Sequence, residues 1–143
     1  MLTILTINSG SSSLKLGLYR AERYDNPQIL YRGATDAIGK PGGSLTITDH
    51  DGAIIHQEDA SHDSQSSAFT HAAQKLCELS GAVPEGIGYR IVHGGPHLRR
   101  HCRITPQVLE TLHAAIHYAP LHIPAALALI KTASQLYPDT PAP

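Results

Sequence analysis

Residues 2–19 read LTILTINSGSSSLKLGLY, two apolar stretches separated by a run of small polar residues. Residues 2–8 are β-branched and aliphatic, as a strand requires, and lead straight into the turn formers Ser9, Gly10, Ser11, Ser12 and Ser13. Leu14, Leu16 and Leu18 then alternate with Lys15, Gly17 and Tyr19, the period of a half-buried strand. The two strands should pair as a hairpin with the serine loop at its tip. Further strands are expected at residues 29–32, 44–48 and 53–57, the last two joined through Asp49-His50-Asp51-Gly52, whose Asp-Gly is a strong hairpin signal.

The pattern changes after the polar stretch 60–67. Phe69, Ala72, Ala73, Leu76 and Leu79 recur at three- and four-residue spacing, which predicts an amphipathic helix over 67–80 stopped by Gly81. Residues 87–92 read as a strand closed by His93-Gly94-Gly95. Thr105-Pro106 has the order of helix cap and first-turn proline, so a helix should cover residues 107–117. After the proline-stiffened connector 119–124, an Ala/Leu-rich helix is expected over 125–136, with 137–143 as a linker or cut end. Strands followed by α, β, α, α give an α/β fold with a mixed sheet.

The 143 residues are 41% hydrophobic, enough for one domain with its own core. Eleven Lys and Arg against twelve Asp and Glu give a formal net charge of -1, which supplies no basic field for nucleic acid or an anionic membrane. The start lacks the basic region and cleavage pattern of a signal peptide, and no apolar run approaches a membrane span. A soluble, cytoplasmic chain is therefore expected. Cys77 and Cys102 have no CxxC spacing and read as buried free thiols, and the ten histidines show no HxH or HExxH pattern of a zinc site.

Three places carry chemistry. In Asn8-Ser9-Gly10-Ser11-Ser12-Ser13-Leu14-Lys15, amides and hydroxyls could surround phosphate oxygens beside the charge of Lys15, although the GxxxxGK[ST] spacing is absent and a serine-rich stretch is usually only a turn. In Gly88-Tyr89-Arg90-Ile91-Val92-His93-Gly94-Gly95, Arg90 could form a two-pronged pair with a carboxylate or phosphate, or simply reach out into solvent. In Ala119-Pro120-Leu121-His122-Ile123-Pro124, a stiff loop could aim His122 at a transferring phosphoryl group, the alternative being a capping or buried histidine.

In this order, NSGSSSLK, GYRIVHGG and ITPQVLETLHAAIHYAPLHIP closely resemble the acetate kinase family, most strongly at residues 2–19 and 87–140. The resemblance implies a ribonuclease-H-like domain of the acetate and sugar kinase, Hsp70 and actin superfamily. It implies a cytoplasmic phosphotransferase that makes acetyl phosphate and ADP from acetate and ATP, reversibly and with Mg²⁺. By resemblance Asn8 takes the magnesium position, Lys15 contacts ATP, and Ser11 and Ser13 lie near the phosphates. Arg90 takes the position that binds the acyl substrate, His122 the position that stabilises the phosphoryl group in flight, and Val92 and Leu121 line the pocket for the acetate methyl.

The chain departs from the family pattern where His122-Ile123-Pro124 stands for HNP and Gly88-Tyr89-Arg90 for GHR, each change removing a polar side chain beside the site. The catalytic aspartate, the second arginine and histidine, the magnesium-binding glutamate and the adenine-binding loops would come later than Pro143. Residues 1–143 are thus expected to be the N-terminal domain of an enzyme whose C-terminal nucleotide-binding domain is absent, inactive alone, with homodimerisation a property of the full-length enzyme. The alternatives are a propionate kinase, one methylene larger in substrate, or a non-catalytic relic that binds an acyl phosphate or a partner.

Overall fold

Period-two patterning in the first half produces an antiparallel meander. In the computed structural model, which describes residues 2–22, 26–90, 103–120 and 122–138, the strands are β1 (Leu2–Ser9), β2 (Leu14–Ala21), β3 (Gln28–Thr35), β4 (Ser44–Asp49) and β5 (Ile54–Asp59). Helix α1 (Gln65–Ser80) then carries the chain back across the sheet to β6 (Gly86–Tyr89). Helix α2 (Pro106–Ala114), a short 3-10 turn (Ile116–Tyr118) and α3 (His122–Leu136) follow. The six strands lie in the order β5-β4-β3-β2-β1-β6, antiparallel except for β1 and β6, which run parallel. A parallel pair cannot be joined by a tight turn, and α1 is the element that completes the crossover.

One face of the sheet is covered. Leu5, Ile7, Leu14, Leu16, Leu18, Leu45, Ile47 and Ile87 pack against Ala68, Phe69, Ala72, Ala73 and Leu76 of α1 and Leu129 and Ala133 of α3. A smaller cluster of Leu112, Ala115, Ala119, Ile123 and Ile130 joins α2 to α3, and Tyr89 touches both clusters. Burying such side chains stabilises the fold by about 1.5–3 kcal/mol each, so the stripe of α1 is what holds the helix on the sheet. Leu79, expected on that stripe, is 39% exposed, because coverage stops one turn earlier at Leu76.

Local chemistry sets the element ends. α1 starts two residues before the predicted position because Ser64 caps it, its hydroxyl accepting from Ser67 N at 3.1 Å. It ends at Gly81, whose φ of 68° suits a residue without Cβ and whose N–H donates to Cys77 O at 2.8 Å. Thr105 caps α2 as expected, accepting from Val108 N at 3.2 Å. The predicted second helix is split, however, with Ala115 separating α2 from the 3-10 turn. The larger correction concerns the connector 119–124: α3 begins at His122, with Pro124 inside its first turn. Proline is tolerated there because first-turn N–H groups have no partner within the helix.

α3 ends at Leu136, the expected boundary, and the residue after it still belongs to the core. Tyr137 packs on the main core, and its hydroxyl lies 3.3 Å from Cys77 Sγ, which is a half-buried free thiol. Burial, reinforced by the Cys77 contact, pushes the Tyr137 hydroxyl well above its ordinary pKa. Cys102 lies outside the described residues.

Candidate functional site

Strand alternation decides which residues meet. Leu5 and Ile7 of β1 and Leu14 and Leu16 of β2 point into the core, so Thr6, Asn8, Lys15 and Gly17 take the opposite face. The register sets Asn8 directly across from Lys15, a pair whose Cβ atoms are about 5 Å apart in such ladders. Asn8 is half-buried and Lys15 exposed. On the other side of β1, Ile7 lies beside Tyr89 and the Arg90 N–H donates to Ile7 O at 3.0 Å. Carrying the pleat one residue past β6 sets the exposed Arg90 on the face of Thr6 and Asn8.

Asn8, Lys15, Arg90 and the serine loop therefore share one end and one face of the sheet. They lie at the carboxyl ends of two parallel strands, the edge where α/β sheets commonly take ligands. Next to Arg90, burial pushes the Tyr89 hydroxyl up to about 12, so this neighbour stays neutral at physiological pH.

The loop is tied down through its carbonyls. Gly10 N donates to Ser13 O at 2.8 Å and Ile38 N to Ser12 O at 2.9 Å. The side-chain amide of Gln65 reaches from the first turn of α1 to Gly10 O at 3.0 Å and Ser13 O at 3.2 Å. Among the described residues, none accepts from the amides of Ser11, Ser12 or Ser13. Ser11 is exposed and Ser13 half-buried, with its hydroxyl so close over Gly10 that a Cβ there would meet it at 2.6 Å. Such a loop can accept an anion on its amides while Lys15 supplies charge.

Five of the candidate residues, Asn8, Ser11, Ser13, Lys15 and Arg90, are brought to this edge by the strand register. Val92, Leu121 and the side chain of His122 lie outside the described residues. Ile38 and Gln65, which hold the loop from below, are not foreseen by the sequence pattern; Gln65 lies in the polar stretch 60–67. The signal that could have found it was Ser64, three residues ahead of Ser67, as a helix cap.

A second polar cluster lies on the helix side of the sheet. His56 Nε2 is 2.6 Å from Glu58 Oε2, His71 Nε2 is 2.5 Å from Glu58 Oε1, His62 Nε2 is 3.0 Å from His71 Nδ1, and His62 Nδ1 is 2.8 Å from Ser67 Oγ. With neutral imidazoles and an ionised Glu58, only one direction satisfies the line: Ser67 donates to His62, His62 to His71, and His71 and His56 to the carboxylate. At the β4–β5 turn, Asp49, His50 and Asp51 bring ligand atoms within 4.8 Å of one another. The Asp49 carboxylate is already engaged there, accepting from Asp51 N at 2.9 Å and Ala53 N at 3.0 Å to shape the hairpin.

The sequence pattern of the acetokinase family matches residues 3–142. The chain belongs to the acetokinase family. Curated relatives include acetate kinases of Campylobacter lari, 33% identical over 96% of this chain, and Rhizobium meliloti, 35% identical over 96%. The chain spans only 35% of the length of each. Among solved structures, the acetate kinase of Porphyromonas gingivalis superposes with a TM-score of 0.85 at 26% identity, over 99% of this chain and 36% of that one. A propionate kinase from Francisella tularensis superposes almost as well, with a TM-score of 0.83 at 28% identity over 99% of this chain and 36% of that one. The acetokinase fold is thus common to kinases described by either acid, and the superposition does not separate the two substrates. Among the described residues, no helix is long and apolar enough to cross a membrane.

Proposed function

We propose that this chain forms the serine-loop portion of an ATP-dependent carboxylate kinase, which transfers a phosphoryl group between ATP and acetate to give acetyl phosphate and ADP. The observation that carries the reading is the convergence on one sheet edge, beside Asn8, of Lys15, Arg90 and the amides of residues 11–13, which have no acceptor among the described residues. Phosphoryl transfer is catalysed mainly by holding reactants in line and neutralising charge on the phosphate oxygens, and these are cations and donors suited to that work.

In this reading Lys15 and the amides near Ser11 and Ser13 hold nucleotide phosphates. Arg90 clamps the acetate carboxylate or the acyl phosphate through paired N–H donors, which a lysine could not reproduce. The carboxylate oxygen attacks the terminal phosphorus, the bond to the ADP oxygen breaks, and His122, by its family position, donates to the phosphoryl group in flight. Val92 and Leu121, by the same resemblance, line the methyl pocket. The donor set fits a cation that arrives with the nucleotide: Asn8 offers one neutral oxygen, and Mg²⁺ in such sites takes few protein ligands, filling its sphere with phosphate and water. When bound, Mg²⁺ neutralises phosphate charge. The remaining catalytic groups, the adenine site and the homodimer contact belong to a larger protein acting in the cytoplasm, of which this chain is the N-terminal domain.

The test is binding of acetyl phosphate and of MgATP to the chain, with Arg90→Ala and Lys15→Ala variants and a hydroxylamine trap for acetyl phosphate formation. Arg90→Ala should weaken acetyl phosphate, and Lys15→Ala MgATP, by about tenfold or more, the loss of one charged hydrogen bond, with no hydroxamate formed by this chain alone. Binding that ignores both substitutions sinks the reading. Propionyl phosphate as a competitor separates the two acyl preferences, which one methylene should shift by about 1–3 kcal/mol.

A further inference from the structure

A hairpin whose two loop residues are Ser11 and Ser12 would ordinarily close with reciprocal bonds between Gly10 and Ser13. Only one of the two forms here, Gly10 N to Ser13 O at 2.8 Å. The Gly10 carbonyl is turned instead to the Gln65 amide at 3.0 Å, and the same amide nitrogen reaches Ser13 O at 3.2 Å, so both of its hydrogens have an acceptor. The Ser13 N–H is thereby left without the partner a closed turn would give it.

We propose that Gln65 is a positioning residue that holds the serine loop open, with its carbonyls bound below and its amides turned out for a phosphate-bearing ligand. The proposal rests on reading that loop as the phosphate cradle. Three carbonyls of the loop are engaged: Gly10 O and Ser13 O by Gln65, and Ser12 O by Ile38 N at 2.9 Å. A peptide loop with its acceptors satisfied and its donors left over is an anion site.

The orientation of the Gln65 amide follows from the same contacts, because the flipped amide would set its oxygen against two carbonyl oxygens. In the orientation it keeps, Gln65 Oε1 is buried with no hydrogen-bond partner among the described residues. An unpaired buried acceptor costs stability, and that cost goes with the hold on the loop. Gln65 can hold because its own backbone is fixed: it opens α1 next to the Ser64 cap, one turn ahead of the fully buried Ala68 and Phe69.

The experiment compares the full chain with Gln65→Glu, which keeps the shape but replaces the donor by an acceptor, with Gln65→Leu, which removes both, and with Gln65→His, which restores one N–H. Amide exchange and ¹⁵N shifts of residues 10–13 are read first, with thermal melting as the control for folding. Inorganic tripolyphosphate and acetyl phosphate are then titrated. Gln65→Glu and Gln65→Leu should let the turn close, slowing exchange at Ser13 as its N–H takes the Gly10 carbonyl, and weaken both ligands by about tenfold, the loss of a hydrogen-bonded anchor, while Gln65→His recovers part of each. Exchange and affinity in Gln65→Glu and Gln65→Leu equal to the unaltered chain overturn the role of Gln65. An unaltered chain that binds neither ligand overturns the phosphate reading of the loop, and the exchange measurement still decides whether Gln65 sets its shape.

Discussion

Two buried glycines should respond to the same substitution with opposite signs. Gly33 lies in β3 between Leu16 of β2 and Ile47 of β4, and Gly43 immediately precedes β4. Neither has a positive φ, so backbone conformation does not oppose alanine at either place. A Cβ on Gly33 would meet Leu76 Cδ1 at 3.6 Å and Leu16 Cβ at 3.9 Å, ordinary contact distances. Gly33→Ala should therefore gain about 0.5–1.5 kcal/mol, from lower unfolded-chain entropy and one buried methyl.

A Cβ on Gly43 would lie 2.5 Å from Ala60 O and 2.8 Å from Asp36 O, both backbone atoms. Ala60 is itself bonded to Gly43 O at 2.9 Å, and Asp36 N to Ser44 O at 3.3 Å, so neither strand connection can retreat without breaking its own hydrogen bond. Overpacking of about 1–3 kcal/mol and the weakening of a backbone bond put the cost of Gly43→Ala at about 2–4 kcal/mol. Urea unfolding followed by circular dichroism should separate the variants by about 2.5–5.5 kcal/mol, with melting temperatures moving in opposite directions. Equal stabilities, or a Gly43→Ala protein as stable as the parent, would refute the close approach of residues 36, 43 and 60.

Phe69 is fully buried at the centre of the α1–sheet interface, and Phe69→Ala should cost about 3–5 kcal/mol in the same urea experiment; a loss under about 1 kcal/mol would mean that α1 is not seated there. The histidine line makes stability depend on pH. Burial, then the charge of His71, holds the His62 pKa below its ordinary value despite Asp63 and Glu58, so protonation favours the unfolded chain. Its contribution is complete above about pH 6.5 and falls away as the pH drops through the lowered folded value. The Glu58 carboxyl is held down chiefly by the His56 hydrogen bond, against burial, and its contribution is lost only below 4.5. Melting temperatures should thus decline in two steps on acidification, and His62→Asn should remove the upper step alone; an unchanged upper step would show that His62 does not titrate in this environment.

Much of the architecture was legible because one periodicity held throughout each element. The alternation of Leu14, Leu16 and Leu18 named β2, its inward face and the hairpin before it. Phe69, Ala72, Ala73 and Leu76 named the buried stripe of α1. Element ends were less legible where a short polar group or a proline has two readings. Ser64 looked like loop until its hydroxyl was seen to cap α1, and Pro124 looked like a connector until α3 was seen to absorb it in its first turn.

Of the site, residue types and their order could be read along the chain, and with them the family. What local sequence could not state was which residues would be neighbours, since that depends on register and crossover. Asn8 and Lys15 meet because the hairpin register pairs them, and Arg90 joins them because α1 returns the chain to lie parallel along β1. Gln65 meets Gly10 and Ser13 across more than fifty positions of sequence. Periodicity is a property of a segment and survives in the bare sequence, whereas a hydrogen bond between distant segments exists only once the core has fixed their separation.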